Sequence, residues 1–239
     1  MDEKQLIDQM EYFLAAYEDS YDEEALDFIR ENYLEYYKKG IRIDIIDQAL
    51  VAIDLLPDDV NLYKRYLEFL KERYSLDQDI LEVGCGRFPA FSKYVDNVQS
   101  QTGKGTITAY DPDLITTTFG NIKLYKKAFD ENTRISDYSL ITSVRPCEAT
   151  LSLIQRANEE DKDFSILTCG CTHFPPIYLD YYRCTPTREE WRHYLIERAT
   201  KNLPKDRTID IDFIKGTENP IISSRKKTKN NKINIVKKF

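Results

Sequence analysis

Hydrophobic positions in the first 75 residues recur with a helical period. Leu6, Met10, Phe13, Leu14 and Tyr17 form one stripe, and Leu26, Ile29, Tyr33, Tyr36 and Tyr37 form a second. Gly40 reads as a helix stop. Asp44 then caps a run through Ile45, Ile46, Leu50 and Ile53, and Pro57-Asp58-Asp59 opens another through Leu62, Tyr66, Phe69 and Leu70. Residues 1–75 therefore read as an all-helical annex, its stripes suited to core packing and its sequence without a chemical motif.

The period changes at Asp79. Ile80-Leu81-Glu82-Val83 is a short apolar strand entering Gly84-Cys85-Gly86, and a helix starts near Pro89. Thr106 to Asp111 is a second strand, ending in an acid, with a short helix expected near Leu114. Ile122–Phe129, Tyr138–Val144 and Phe164–Cys169 are three more strands, and a helix over about 148–158 separates the last two. A helix over 187–201, a strand over 208–214 and a last strand near Ile221-Ile222 complete the pattern. Strands alternating with helices predict a mostly parallel sheet with crossover connections, an α/β Rossmann-like domain over 76–224.

The chemistry concentrates at the first strand's exit. Gly84 and Gly86 let backbone approach a ligand where a Cβ would obstruct it. The next helix offers free N–H groups at its start. Asp111 closes the second strand 25 residues after Gly86, near the spacing at which such folds bind ribose hydroxyls. A dinucleotide loop would want a third glycine where Pro89 stands. Glu82 would repel a pyrophosphate but favour the ammonium and sulfonium charges of S-adenosylmethionine.

Strand, Glu82-Val83-Gly84-Cys85-Gly86, helix and strand with terminal Asp111 together resemble the first two cofactor motifs of class I S-adenosylmethionine-dependent methyltransferases. A closer resemblance is to a small methyltransferase-like family best known in archaea, whose members carry E-V-G-x-G-R-F and, after the fourth strand, S-[IV]-R-P. Here these are Glu82–Phe88 and Ser143-Val144-Arg145-Pro146. The resemblance spans about residues 78–172. It implies that Glu82 meets the methionine end of the cofactor and that Gly84, Cys85 and Gly86 form the loop beneath it. Asp111, followed by Pro112, would hold the ribose, and Phe129-Asp130 would face the adenine. Ser143 and Arg145 would contact acceptor or cofactor; an arginine there can grip a carboxylate or phosphate bidentately. Amino-directed nucleic-acid enzymes carry Asn or Asp before two prolines at this place, so nucleobase amino methylation is disfavoured.

For two residues the plainer reading competes directly. Asp130 suits a turn or helix N-cap as well as an adenine contact. His173, after the fifth strand, is the best general-base candidate by pKa, yet a packed or solvated histidine is as ordinary. His193 lies mid-helix and reads as structural. Cys169, Cys171, His173 and Cys184 have the right ligand types for zinc but spacing unsuited to a chelate loop, so no metal is expected.

Composition narrows the class. The chain has 239 residues, 41% hydrophobic and 31% charged, with net charge -7, and no apolar run nears the roughly 20 residues of a membrane span. The odd number of cysteines, 5 in all, suits reduced thiols in a cytoplasmic protein. About 21 acids face about 9 bases in the first 80 residues, which argues against duplex nucleic acid as the main partner. The basic tail, 225–239, reads as a solvated end and leaves RNA open as a second partner. The reading is a methyltransferase acting on a small molecule; a non-catalytic binder of the same cofactor and, behind it, an NAD-dependent oxidoreductase are the alternatives. The annex and Tyr178, Tyr181 and Tyr182 are expected to cover the cleft.

Overall fold

The computed structural model describes residues 44–169 and 187–227, apart from 53, 55, 59, 202, 216 and 218, together with positions 27, 31 and 32. The apolar stripes of residues 6–17, His173, Cys171, Cys184 and the tyrosines at 178, 181 and 182 lie outside the described residues.

The elements in chain order are α1 (Asp44–Ala52), α2 (Leu62–Lys71), β1 (Ile80–Val83), α3 (Ala90–Thr102), β2 (Ile107–Tyr110), β3 (Thr118–Phe119) and β4 (Ile122–Tyr125). There follow β5 (Leu140–Val144), a 3-10 turn (Cys147–Ala149), α4 (Thr150–Glu159), β6 (Asp163–Leu167), α5 (Arg188–Thr200), β7 (Arg207–Phe213) and β8 (Pro220–Lys226). The eight strands form one sheet in the order β3-β4-β2-β1-β5-β6-β8-β7. From β4 to β6 all neighbours are parallel, while β8 runs antiparallel to both β6 and β7. This is the mostly parallel, Rossmann-like α/β architecture expected from the sequence, with a crossover reversal beside β1 that opens a crevice at the strands' carboxyl ends.

Both faces of the sheet are covered, so its central strands are buried along their whole length. Alternation assigns Ile80 to the cluster under α1, α2 and α3, and Leu81 and Val83 to the cluster under α4 and α5. Glu82 shares the face of Ile80. The register continues this face through Thr142 on β5, Ser165 on β6 and Ser223 on β8. Tyr66 of α2 satisfies that polar row: its hydroxyl donates to the Ser165 carbonyl at 2.6 Å and lies 3.0 Å from Thr142 Oγ1. Tyr74, just past α2, donates likewise to the Phe164 carbonyl at 3.0 Å. Helix α2 is thus seated on the sheet by hydrogen bonds as well as by apolar area.

Local chemistry explains the ends. Thr187 and Glu190 form a reciprocal capping box at the start of α5, and Gly103 closes α3 in the left-handed conformation at φ 67°. The helix expected near Leu114 is absent. Residues 112–117 are turn and bend, leading into the short strand β3, because the β-branched run Ile115-Thr116-Thr117-Thr118 disfavours helix. The third predicted strand also stops at Tyr125, four residues before Phe129. No helix among the described residues is long and apolar enough to cross a membrane.

Candidate functional site

The crevice at the carboxyl ends of β1, β2 and β5 is a cleft of about 640 Å³, within the ordinary range of small-ligand sites. The loop after β1 forms one wall. Gly84 and Gly86 take positive φ, 71° and 81°, and the neighbours explain why no Cβ fits. One at Gly84 would stand 3.0 Å from the Pro146 Cα, and one at Gly86 would collide with the Gln48 amide. The loop is therefore clamped between the β5 exit and α1.

Glu82 lies at the base of this cleft, only 1% exposed. Ser92, in the first turn of α3, donates its hydroxyl to Glu82 Oε2. Burial pushes the carboxyl pKa up to about 7; the Ser92 bonds oppose that rise, and Asp111 nearby adds to it. Asp111 stands at the second wall. Its Oδ2 accepts from the Gly86 N–H and its Oδ1 from the Asp113 N–H, both at 2.8 Å. Burial again raises the pKa, and those two backbone bonds pull it back. A carboxylate has about four acceptor sites, so a held Asp111 keeps roughly two for a ligand.

The third wall is the β5 exit. Arg145 and Cys147 both adopt left-handed φ, 57° and 45°, which costs roughly 1–2 kcal/mol for a residue with a side chain. The Arg145 N–H donates to the Leu167 carbonyl at 2.8 Å, so the turn is tied to the neighbouring strand. Cys85 also borders the cleft, but burial holds its thiol well above the usual range, which keeps it an unreactive wall.

Of the residues singled out in the sequence, Glu82, Gly84, Cys85, Gly86, Asp111, Pro112, Phe129 and Arg145 converge on this cleft. Ser143 does not: it is buried and its hydroxyl donates to the Val83 carbonyl, bridging β5 to β1. Asp130 stays outside the lining. Its Oδ1 accepts from the Thr133 hydroxyl at 3.0 Å and the Asn132 N–H at 2.9 Å, contacts that hold its carboxyl below the usual range. That is the geometry of a turn residue. His173 lies outside the described residues, and among those described no three His, Cys, Asp or Glu residues are grouped to hold a metal.

Sequence reasoning did not reach Asp47, Gln48 and Tyr63, which α1 and α2 bring to the cleft. One signal was there: Asp47-Gln48 interrupts an otherwise apolar helix that is buried from position 47 to 52. Two polar residues inside a buried stretch call for partners.

No family model matches the chain, and no curated protein is similar enough to be matched. Among solved structures, a methyltransferase from Pyrococcus furiosus is 14% identical over 67% of this chain and 80% of its own, with a TM-score of 0.46. A SAM-dependent methyltransferase from Aquifex aeolicus is 12% identical over 74% and 96%, with a TM-score of 0.43. A functionally unknown protein from Deinococcus radiodurans R1 is 18% identical over 66% and 64%, with a TM-score of 0.39.

Proposed function

We propose that the chain is an S-adenosylmethionine-dependent methyltransferase acting on a small-molecule acceptor. The observation that carries this reading is the pairing, across one cleft, of a fully buried Glu82 with an Asp111 held by the glycine loop. A buried carboxylate is costly unless a cation or donor answers it. The methionine end of the cofactor brings an ammonium and a sulfonium, and its ribose brings vicinal hydroxyls to the remaining acceptor sites of Asp111. The same Glu82 would repel the pyrophosphate of NAD, which weighs against the oxidoreductase alternative.

When bound, the cofactor supplies an electrophilic methyl group. The chain's own task is then to align an acceptor and exclude water, work that needs little acid–base help. Arg145 and the half-buried Phe129 line the same cleft, where they would orient an acidic group and an aromatic ring. The basic end of the chain is a candidate for a salt-sensitive RNA contact.

Calorimetric titration with S-adenosylhomocysteine, beside NADH and an Asp111→Ala control, tests the reading. The expected result is an affinity near about 1–10 μM for the homocysteine compound, weakened on the order of 100-fold in the variant, and no heat with NADH. A folded protein that binds NADH, or neither compound, would overturn it. A protein that binds the cofactor yet methylates no acceptor would be the non-catalytic binder.

A further inference from the structure

Gln48 is nine-tenths buried and lines the cleft directly above the glycine loop. Its side-chain orientation is determined, because Oε1 accepts from the Phe88 N–H at 3.0 Å. The amide nitrogen must therefore occupy the other side, over Gly86. Among the described residues nothing accepts from that nitrogen. The NH2 group therefore reaches the cavity with its donors open to a ligand.

The helix that carries it is fixed at its other end. Lys93 of α3 donates to the Val51 and Ala52 carbonyls at 2.8 and 3.0 Å and pairs with Asp54 Oδ1 at 3.0 Å. The next-door residue, Ser92, is the one that holds Glu82. The first turn of α3 thus positions an acceptor, Glu82, and a donor, Gln48, on the same cleft. A donor and an acceptor held together in this way match the two ends of a zwitterionic α-amino acid.

We propose that Gln48 binds the carboxylate of the cofactor's methionine moiety, while Glu82 answers its ammonium. The inference rests on the reading that the cleft takes S-adenosylmethionine, and it adds a carboxylate-recognising residue from a helix that precedes the glycine motif. Gln48 also explains why that helix closes over the loop: its amide serves loop and ligand at once.

Three ligands separate this role from a merely structural one. S-adenosylhomocysteine carries the amino and carboxylate groups, decarboxylated S-adenosylmethionine lacks the carboxylate, and 5′-methylthioadenosine lacks both. Gln48→Glu keeps an acceptor for the Phe88 N–H but sets negative charge where the donors were. Calorimetry should show S-adenosylhomocysteine weakened about 10–100-fold, as for a lost hydrogen bond to a charged group. Methylthioadenosine should stay within about twofold, because no contact to it changes, and the decarboxylated compound should bind no more weakly. Equal weakening of all three ligands would make Gln48 a loop prop only, and unchanged homocysteine binding in Gln48→Glu would likewise overturn the assignment. A wild-type protein that binds none of the three would overturn the cofactor reading itself, and this inference with it.

Discussion

Two strand–loop–helix turns stand side by side at the centre of the sheet, and they solve the same geometrical problem with different residues. The turn from β1 to α3 bends through Gly84 and Gly86 at φ 71° and 81°; the turn from β5 towards α4 bends through Arg145 and Cys147 at φ 57° and 45°. Glycine makes such a bend at little steric cost, whereas a residue with a Cβ stores strain there. The turns also touch, since Pro146 fills the space a Gly84 side chain would need. The first turn withdraws its side chains so that backbone can line the cleft. The second accepts strain and brings an arginine and a thiol to the same cleft. Strain retained beside a cavity marks where side-chain identity matters more than ease of folding.

The largest expected effect breaks the first turn. Gly84→Ala adds left-handed strain and a clash with the Pro146 backbone, so denaturant titration should show a loss of about 3 kcal/mol or more. Next comes the acid beneath that turn. The Glu82 pKa in the folded protein, about 7, exceeds its ordinary value of 4.5, so the folded state keeps a proton that the unfolded chain releases. Stability is therefore lost as pH rises through that window, and Glu82→Gln should be the more stable protein at pH 8 by up to about 3 kcal/mol, with little difference at pH 5. The same carboxyl links binding to pH. Wild-type affinity for S-adenosylhomocysteine should rise from pH 6 to about 7 and then level off, with a proton released on binding below that point; the dependence should vanish in Glu82→Gln. The smallest effect sharpens the contrast from the other side. Cys147→Gly relieves left-handed strain against glycine's greater entropy cost, so thermal unfolding should show a gain of at most about 1 kcal/mol. A clear loss would mean that the second turn is not strained.

The first turn was readable from sequence because each of its devices is local: an apolar strand, two glycines, a proline opening a helix and an acid at the next strand's end. The second was not, because nothing in Ser143-Val144-Arg145-Pro146 announces a left-handed arginine; that conformation follows from packing against β6 and the Gly84 loop. Distance along the chain hid Gln48 too. Its partner, Phe88, lies 40 residues on, and a helical period alone shows which face is buried without showing what it covers. Phe129 and Asp130 fell at the end of an overlong strand. With β4 stopping at Tyr125, the following loop turns Phe129 towards the cleft and leaves Asp130 holding its own turn.

A crystal structure of the protein grown with S-adenosylhomocysteine tests the central claim most directly. The account predicts the ribose hydroxyls on Asp111, the amino group towards Glu82 and the glycine loop closely as described, still bonded through the Gly86 N–H. A nucleoside seated elsewhere, or an Asp111 with no ligand contact in an occupied cleft, would contradict it.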